Sequence, residues 1–429
     1  MERTYVKDLS SHVGESVSIK GFVQAIRNQG SISFLNVRDV TGVVQAVVLK
    51  SSLAFATVTE LTLESVVEVI GLAKAEKQAP GGYEVDAQEI VILSKAYPEL
   101  PIPVVEEKSG EGVDISKRLD WRHIDLRKPE NQKIFKVWTS LEKGFREFCL
   151  ENGFTQVYTP NFMSVPSESG SEVFEVKYFD RNAYLAQSPQ FYKQAAQAAG
   201  FERVFMVGPV FRAEPSYTTR HMTEFTGFDY EFSYIESHHD VMDLHEKFIL
   251  AGLQKVKEEV LPDLFVQEVP IPRITMQEAK EKLAKAGVKS EKPGDVSPEE
   301  ERELCRLVQE ETGSELVFLT DYSSEIRPFY HMRYAEDPKT TKSFDLLYRG
   351  LEITTGAQRE HRYDVLIAQA KEKGMGLESL EHYLNFFKYG CPPHGGVGVG
   401  PGRIIMKLLD LASVKEATFF PRDVKRLTP

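Results

Sequence analysis

The sequence predicts an α+β protein in which an N-terminal β-barrel precedes a larger domain with an antiparallel sheet and flanking helices. Two observations lead to this prediction. Five short β-prone runs separated by turn signals lie between residues 15 and 97. A proline-rich segment then breaks the pattern, and amphipathic helices and apolar strands follow through the rest of the 429 residues. A chain of this length can form two or three domains with a large core.

Composition limits the classes of function. Hydrophobic residues make up 41% of the chain and charged residues 27%, as in ordinary soluble proteins. No apolar run reaches membrane-spanning length and no signal-peptide core is present at the start, so we expect a cytoplasmic protein without membrane contact. The three cysteines are far apart and suggest neither disulfides nor a zinc site. A net charge of −12 argues against non-specific coating of nucleic acid, although it is compatible with a local basic groove.

Residues 1–104 are predicted to form a five-stranded antiparallel barrel. The β-prone runs are Val17–Val23, Ser31–Val37, Val43–Val48, Val66–Gly71 and Tyr83–Leu93. A helix predicted over Ser52–Leu61 falls between the third and fourth strands, as in an OB-fold. OB barrels often bind nucleic acid, but SH3-like and purely structural barrels share this pattern. Residues 105–128, after the proline-rich stretch Ala96–Pro103, are the predicted linker.

The stretch Val204–Phe232 predicts two apolar strands joined by a long polar loop. Arginine matches phosphate oxygens in a fixed fork, a carboxylate accepts from an exocyclic amine or holds a metal, and an aromatic ring stacks on a base. The loop and the start of the returning strand contain all three types, in Arg212, Glu214, Arg220, His221, Glu224 and Phe225. They suit a nucleoside triphosphate. Composition alone favours the alternative of a salt-bridged surface loop, since charged loops are common.

The pattern F-R-A-E, T-R-H-x-T-E-F and D-Y-E in this stretch resembles the second signature motif of the class II aminoacyl-tRNA synthetases. Within that class it is similar to the aspartate, asparagine and lysine subgroup in its archaeal and eukaryotic form. An amphipathic helix over Glu130–Asn152 and a strand over Phe154–Pro160 are similar to the first motif, which implies a homodimer. The resemblance assigns residues 129–429 to the catalytic domain. A charged segment at about 276–312 is predicted to be a solvated helical insertion that carries no chemistry.

The third motif has a counterpart in the glycine-rich strand and helix from Pro392 to Lys407. Neither a dinucleotide-binding fingerprint nor a P-loop fits this stretch. The family usually has Gly-Leu-Asp/Glu-Arg, whereas this chain has Gly400-Pro401-Gly402-Arg403. The resemblance implies that ATP binds Arg212, Glu214, Arg220, His221, Phe225, Glu352 and Arg403, with Arg212 and Arg403 as the catalytic residues. It also implies Mg²⁺ on Asp345 and Glu352, in a hairpin predicted to turn at Gly350.

The string from Gln187 to Gln194, QSPQFYKQ, resembles that of the aspartate-specific members of the subgroup. The resemblance implies that Lys193 and Arg359 bind the side-chain carboxylate of L-aspartate. It further implies that the substrate ammonium is held by Glu168, Ser188, Gln190 and Asp229. Ser188-Pro189 is also a good helix start, with serine as the N-cap, and that interpretation accounts for Ser188 without a ligand.

In the barrel, the resemblance implies that Phe34, Gln45 and Glu84 bind the tRNA anticodon. Strand alternation by itself favours a core position for Phe34. Phe22 and Gln24 stand where the family often has two aromatics or an aromatic and a histidine, so the choice between tRNA for aspartate and tRNA for asparagine stays open.

The expected reaction is ATP-dependent ligation of L-aspartate to tRNA through an aspartyl-adenylate. The alternatives are an asparaginyl enzyme, an asparagine synthetase derived from this scaffold, and a non-catalytic tRNA-binding relative. Lys193 and the QSPQ string disfavour the first of these.

Overall fold

The computed structural model describes residues 1–105, 112–166, 173–268, 270–290 and 292–429. The chain divides into two compact units, Met1–Lys117 and Arg118–Pro429. The division falls inside the segment 105–128 that the sequence predicts as a linker. Each unit is described by itself.

The first unit is a closed barrel with the strand order β1-β2-β3-β5-β4. Its elements are β1 (Ser16–Gln29), β2 (Ile32–Arg38), β3 (Val43–Leu49), α1 (Ala54–Glu60), β4 (Val66–Ala75) and β5 (Tyr83–Ser94), with 3₁₀ helices at Val6–His12 and Pro80–Gly82. The prediction that every pair is antiparallel is wrong for β3 and β5, which pair in parallel. A barrel of five strands has an odd number of pairs, so it cannot close with antiparallel pairs alone.

The barrel core is aliphatic, and β2 shows how alternation fills it. Ser33, Leu35 and Val37 are buried, whereas Phe34 between them is only half-buried. Since successive side chains of a strand point to opposite faces, Phe34 lies on the outer face. The core position that alternation alone favours for Phe34 is therefore wrong.

The second unit contains a mixed sheet and two flanking groups of helices. Its early helices and strands are α2 (Ile115–Asp120, which begins in the preceding unit), α3 (Arg122–Asp125), α4 (Pro129–Glu151), β6 (Thr155–Gln156), β7 (Phe162–Met163), β8 (Glu175–Tyr178), β9 (Arg181–Leu185), α5 (Gln190–Ala198), β10 (Arg203–Phe211) and β11 (Glu224–Ser233). The later ones are α6 (His238–Glu259), β12 (Arg273–Thr275), α7 (Met276–Lys285), α8 (Pro298–Thr312), β13 (Leu316–Thr320), β14 (Ser343–Tyr348), β15 (Leu351–Gln358), α9 (Tyr363–Glu372), α10 (Leu377–Lys388), β16 (His394–Val399) and α11 (Pro401–Leu408).

Within the described residues, eight strands form the main sheet in the order β12-β13-β14-β15-β16-β11-β10-β6. Antiparallel pairs fill its centre, and the pairs at its two edges, β12 with β13 and β6 with β10, are parallel. The predicted hairpin is present: β10 and β11 pair from Arg203↔Phe232 to Phe211↔Glu224, with residues 212–223 as the connecting loop. The strand predicted over Phe154–Pro160 is shorter, because only Thr155 and Gln156 pair with β10.

One face of the sheet is covered by α4 and α6, which pack against each other through aromatic rings. Phe145 of α4 stacks on Phe248 of α6 with ring centroids 4.2 Å apart, and both rings contact Phe228 of β11. Offset or edge-to-face aromatic pairs add stability beyond the area that they bury. No helix in the described part of the chain is long and apolar enough to cross a membrane.

The segment predicted as a solvated helical insertion differs from that prediction. It consists of α7 and α8, which bury Leu283 and Leu304 in a cluster with Leu319 of β13. Both helices begin with a capping box, at Thr275 and Ser297. The prediction took the charged residues as a sign of full solvation, but each helix buries an apolar face, and Glu300 and Glu301 of α8 are buried as well.

A histidine with two hydroxyl neighbours lies in the core beneath the sheet. His245 of α6 has its Nδ1 3.1 Å from the Tyr230 hydroxyl and its Nε2 3.0 Å from Thr354 Oγ1. It is fully buried, and burial lowers its pKa from 6.5 to about 3. The neutral imidazole therefore satisfies two buried hydroxyls without carrying charge.

Replacing His245 with glutamine should make stability less sensitive to acid. Because the folded-state pKa is the lower one, the unfolded chain takes up the proton preferentially, and stability falls as the pH drops from about 6.5 towards 3. Glutamine can donate and accept hydrogen bonds there without titrating. Between pH 6.5 and 4.5, urea unfolding should show a wild-type free energy that falls faster than the variant's by about 1.4 kcal/mol per pH unit. Equal slopes for the two proteins would contradict this assignment.

Candidate active site

A cleft of about 710 Å³ opens over β10, β11, β15 and β16, beneath the 212–223 loop and the start of α11. Most of the predicted site residues line it: Ser188, Gln190, Lys193, Arg212, Glu214, Arg220, His221, Phe225, Asp229, Glu352, Arg359 and Arg403. Asp345 is buried beside the cleft and is not part of its wall. Glu168 lies outside the described residues. The structure therefore brings together residues spread over more than half of the sequence.

Lys193 projects from the first turns of α5 to the cleft floor and is 1% exposed. Its Nζ lies 2.8 Å from Asp229 Oδ2, 3.0 Å from the Val397 carbonyl oxygen and 3.4 Å from Glu231 Oε2. An ammonium has three N–H donors, and two carboxylates with one carbonyl surround this one. The lysine is consequently held in one position. Ser188 Oγ accepts from the Gln190 amide at 3.3 Å. The N-cap of α5 is nevertheless Pro189, so the prediction of Ser188 as the N-cap is wrong by one residue.

Arg359, just beyond β15, is the second cation of the floor and is 3% exposed. Its Nε donates to Glu231 Oε1 at 3.0 Å and its Nη2 to the Gly396 carbonyl at 3.0 Å. Its Nη1 lies 2.8 Å from His331 Nε2. Burial and the nearby Arg359 lower the pKa of His331 well below its ordinary value, so a neutral imidazole faces the guanidinium and accepts a hydrogen bond from it.

Glu231, which sequence reasoning assigned no role, joins these two cations. Its carboxylate is fully buried and contacts Arg359 through Oε1 and Lys193 through Oε2. Burial opposes its ionisation, but Arg359 and Lys193 outweigh that effect and lower its pKa. The signal was present in the sequence: Asp229 and Glu231 stand two apart in an apolar strand, so both carboxylates point to the same face.

The glycine-rich strand β16 makes room for this carboxylate. A Cβ atom at Gly396 would lie 2.1 Å from the Tyr230 carbonyl oxygen and 2.3 Å from Glu231 Oε2. No real contact is that short, so any side chain at Gly396 would displace the strand or Glu231. Close packing against β11 therefore requires a glycine at this position of the glycine-rich stretch before α11.

The upper wall carries the charged side chains of the 212–223 loop. The Arg212 guanidinium lies over the Phe225 ring at 5.6 Å and 3.8 Å from Glu214 Oε1. His221 Nδ1 is 2.6 Å from Thr218 Oγ1, and burial together with Arg403 lowers the pKa of His221. Cation, carboxylate and aromatic face are therefore adjacent, as a nucleotide site requires.

Arg403 closes the cleft from α11. Its Nη1 donates to the Glu352 carbonyl oxygen at 2.9 Å and lies 3.4 Å from Glu352 Oε1. Pro401 occupies the first turn of α11, where the amide needs no intrahelical partner, so the lost donor at this departure from the family pattern costs nothing. A Cβ at Gly402 would make only ordinary contacts with Val414 and Trp138.

Asp345 of β14 and Glu352 of β15 flank the predicted turn, where Gly350 has a φ of 78°. Asp345 Oδ2 is 2.7 Å from Arg327 Nη2, and Oδ1 is buried with no hydrogen bond. Burial and Glu352 raise the pKa of Asp345 against the pull of Arg327. Burial also opposes ionisation of Glu352, but Arg403 and Arg327 outweigh it and lower that pKa.

On the outer face of the barrel, the three residues predicted to bind nucleic acid are adjacent. Gln45 Nε2 donates to Glu84 Oε2 at 3.2 Å, and Gln45 Oε1 accepts from Arg27 Nη2 at 3.2 Å. The Arg27 guanidinium lies 6.0 Å from the Phe34 ring centroid. Arg27 was not singled out by sequence reasoning, although β1 pairs it directly with Phe34.

Comparison with known proteins agrees with this geometry. Residues 114–424 match the family model described as tRNA synthetases class II (D, K and N), and residues 17–93 match the OB-fold nucleic acid binding domain. The chain is 44% identical to the aspartate–tRNA(Asp/Asn) ligase of Methanopyrus kandleri over 97% of this chain and 96% of that protein. It is 40% identical to the aspartate–tRNA(Asp) ligase of Pyrococcus abyssi, with 97% of each chain covered.

Among solved structures, the asparaginyl-tRNA synthetase of Pyrococcus horikoshii complexed with asparaginyl-adenylate has a TM-score of 0.92 at 33% identity, covering all of both chains. A putative aspartyl-tRNA synthetase of Leishmania major has a TM-score of 0.89 at 30% identity, covering all of this chain and 96% of that one. With the barrel, the mixed sheet and a cleft lined by the residues of all three motifs, these matches show that the chain belongs to the class II tRNA synthetases of the D, K and N group.

Proposed function

We propose that this protein ligates L-aspartate to tRNA at the expense of ATP, through an aspartyl-adenylate. The observation that carries the proposal is the pair of buried cations, Lys193 and Arg359, on the cleft floor. The names of the relatives that are 40 to 44% identical over nearly the whole chain support it.

The two cations favour a carboxylate over an amide as the substrate side chain. Lysine and arginine offer only donors, and a carboxylate offers only acceptors. Asparagine would place its own NH₂ donors against this wall, and an unsatisfied buried donor costs about 1–3 kcal/mol. The asparaginyl alternative is therefore disfavoured by the same residues that suit aspartate.

The substrate ammonium fits the opposite side of the floor. Asp229 Oδ2 already accepts from Lys193, and Ser188 and Gln190 line the adjacent wall. Gln190 is anchored through its Nε2, which donates to Gln194 Oε1 at 2.8 Å. With Glu168, these groups would hold the ammonium and aim the α-carboxylate at the nucleotide.

In the first step an oxygen of the substrate α-carboxylate attacks the α-phosphorus of ATP, and the bond from that phosphorus to the bridging oxygen breaks to release pyrophosphate. The carboxylate is already ionised, so no general base is needed. In the second step a terminal hydroxyl of tRNA attacks the adenylate carbonyl carbon, the bond from that carbon to the phosphate oxygen breaks, and AMP leaves while its phosphate takes up the proton of the hydroxyl. Catalysis then consists of positioning and charge stabilisation.

The loop residues would position ATP for this attack. Arg212 would pair with the α-phosphate, which the substrate carboxylate attacks. Phe225 would stack on one face of adenine, and Arg403 would lie over the other face. His221 and Arg220 would meet the outer phosphates, and Glu214 would contact the nucleotide from the loop. All of these side chains line the cleft.

Asp345 and Glu352 fit a magnesium ion. Hard carboxylate oxygens are the ligands that Mg²⁺ prefers, and Asp345 Oδ1 is a buried acceptor with no hydrogen bond. No group of three or more potential ligands occurs among the described residues, so phosphate oxygens would complete the set. Bound there, Mg²⁺ would neutralise charge on the triphosphate.

The outer barrel face would read the anticodon, with Phe34 stacking on a base and Gln45 and Glu84 contacting base edges. Charging of tRNA specific for aspartate and tRNA specific for asparagine with labelled aspartate tests which of the two tRNAs the protein accepts. A Phe34→Ala variant should lose the charging of tRNA and keep adenylate formation. Equal loss of both activities would contradict an anticodon role.

The proposal includes a homodimer whose interface is formed by α4 and by the segment from β6 to Phe162 that follows it. β6 is an edge strand of the sheet, and Tyr158 and Phe162 beyond it are exposed. Apolar side chains beside an open edge are typical of an interface. Light scattering should give about twice the 48.6 kDa mass of the chain, and a monomer at micromolar concentration would refute this assignment.

Replacing Arg359 with lysine should impair the use of aspartate and spare the use of ATP. The charge opposite Glu231 remains, but the fixed fork that can bind a carboxylate in two places is lost. In ATP–pyrophosphate exchange, we expect the fall in kcat/KM for aspartate to correspond to a loss of about 2–5 kcal/mol of transition-state stabilisation, with a small change in the KM for ATP. Arg362→Lys, on an exposed side chain paired with Glu360, is the matched control. Equal losses for both substrates would contradict the assignment.

Replacing Asp345 with asparagine should raise the Mg²⁺ concentration needed for half-maximal exchange, because one of two hard anionic ligands is removed. The variant keeps an oxygen that can accept from Arg327. Asp337→Asn, in an exposed loop, is the control. An unchanged Mg²⁺ requirement would remove Asp345 from the metal site.

A further inference from the structure

The helical segment that the sequence marks as having no chemistry places one carboxylate directly behind the cleft wall. Glu301 of α8 is 3% exposed, and its Oε2 lies 2.7 Å from Arg220 Nη1. Arg220 lines the cleft, whereas Glu301 does not. The carboxylate thus contacts the arginine from behind.

The two partners differ in how firmly they are held. Ser297 and Glu300 form the capping box of α8, and Glu300 also pairs with Lys280 of α7 at 2.7 Å. At the turn between β14 and β15, a Cβ on Gly350 would lie 2.9 Å from the Arg302 Cα, so α8 packs closely there. Arg220, by contrast, belongs to a loop without regular structure. The helix therefore supplies a fixed anchor for a side chain on a less constrained segment.

The same loop is fixed at a second point. The Thr219 carbonyl accepts from the Val414 amide at 2.9 Å and from Ser413 Oγ at 3.2 Å. These bonds hold the backbone next to Arg220, but they leave the long arginine side chain with several rotatable bonds. The contact with Glu301 is what selects among its rotamers.

The surroundings of Glu301 act on the pKa of its carboxyl group in opposite directions. Burial raises the pKa of Glu301 to about 7 and Glu352 adds to the rise, while Arg220 and Arg403 oppose it. The contact with Glu301 uses the Arg220 Nη1 atom. The arginine can then remain in contact with Glu301 and still offer its other N–H donors to a ligand in the cleft.

We propose that Glu301 is a positioning residue for ATP: it holds the Arg220 guanidinium at the cleft wall, where the outer phosphates of the nucleotide would meet it. The inference rests on the proposed function and extends it to a residue that touches no substrate. Its effect is on the binding of ATP, and the aspartate subsite around Lys193 is separate from it.

Kinetics of ATP–pyrophosphate exchange with saturating aspartate test this inference. Glu301→Ala should raise the KM for ATP by about 10- to 150-fold, the range for losing a hydrogen bond to a charged group. Glu301→Gln keeps an acceptor for Arg220 and should give a smaller rise. The KM for aspartate should stay within about twofold of the wild-type value in both variants.

Two comparisons separate positioning from general damage. In an Arg220→Ala background, removing Glu301 should have no further effect on the KM for ATP, because the two residues act as one unit. Glu303→Gln is the matched control: it lies in the same helix but pairs with Arg306 and not with Arg220, and its KM for ATP should equal that of the wild type.

A wild-type KM for ATP in Glu301→Ala, or an undiminished Glu301 effect in the Arg220→Ala background, would overturn the inference. If Glu301→Ala does not fold, the Glu301→Gln variant with nearly the same shape decides by the same criteria. Absence of aspartate-dependent exchange in the wild type would instead overturn the proposed function. Calorimetric titration with ATP and magnesium would then decide whether Glu301 and Arg220 affect nucleotide binding.

Discussion

The buried contact of Glu231 with both Lys193 and Arg359 is the interaction on which the rest of the site depends. Placing two cations at the floor of a cleft, each almost fully buried, is costly unless anions accompany them. Glu231 and Asp229 supply those anions, and the neutral His331 and two main-chain carbonyls take further donors. Removing one partner of such a buried pair typically costs about 3–5 kcal/mol, because the other charge is left uncompensated.

The sheet is built so that this contact can form. Asp229 and Glu231 lie on one face of β11, Lys193 reaches that face from α5, and Arg359 reaches it from the end of β15. Gly396 on the neighbouring strand leaves space for the Glu231 carboxylate, which a Cβ would occupy. On the opposite face, the aromatic packing of Phe228, Phe145 and Phe248 fixes β11 against the helices. Side chains set by such packing keep a binding geometry better than side chains on loops.

Much of the fold follows from the sequence, because strand alternation and helical periodicity report burial directly. The barrel strands, the central hairpin and the long helix α4 were predicted at nearly their observed positions. The parallel pair in the barrel was missed, because alternation does not report strand direction. Alternation alone also put Phe34 on the wrong face, since it gives two faces without saying which one is inside, whereas the family resemblance implied an outward Phe34. The site residues came mostly from motif resemblance, and the cleft gathers those of the catalytic domain that the structure describes, apart from Asp345. Glu301 was missed because its significance arises only when distant segments meet, 81 residues apart for Glu301 and Arg220. Glu231 was missed although its spacing from Asp229 in β11 places both carboxylates on one face.

The claim that this cationic floor selects a carboxylate is tested most directly by comparing L-aspartate with L-asparagine in ATP–pyrophosphate exchange by the wild-type protein. We expect aspartate-dependent exchange, with kcat/KM for asparagine lower by at least about 10³-fold, as is typical when a polar site rejects a substrate of the wrong hydrogen-bonding character. Exchange with asparagine that equals or exceeds exchange with aspartate would contradict it, and would mean that Glu231 neutralises the two cations towards the substrate.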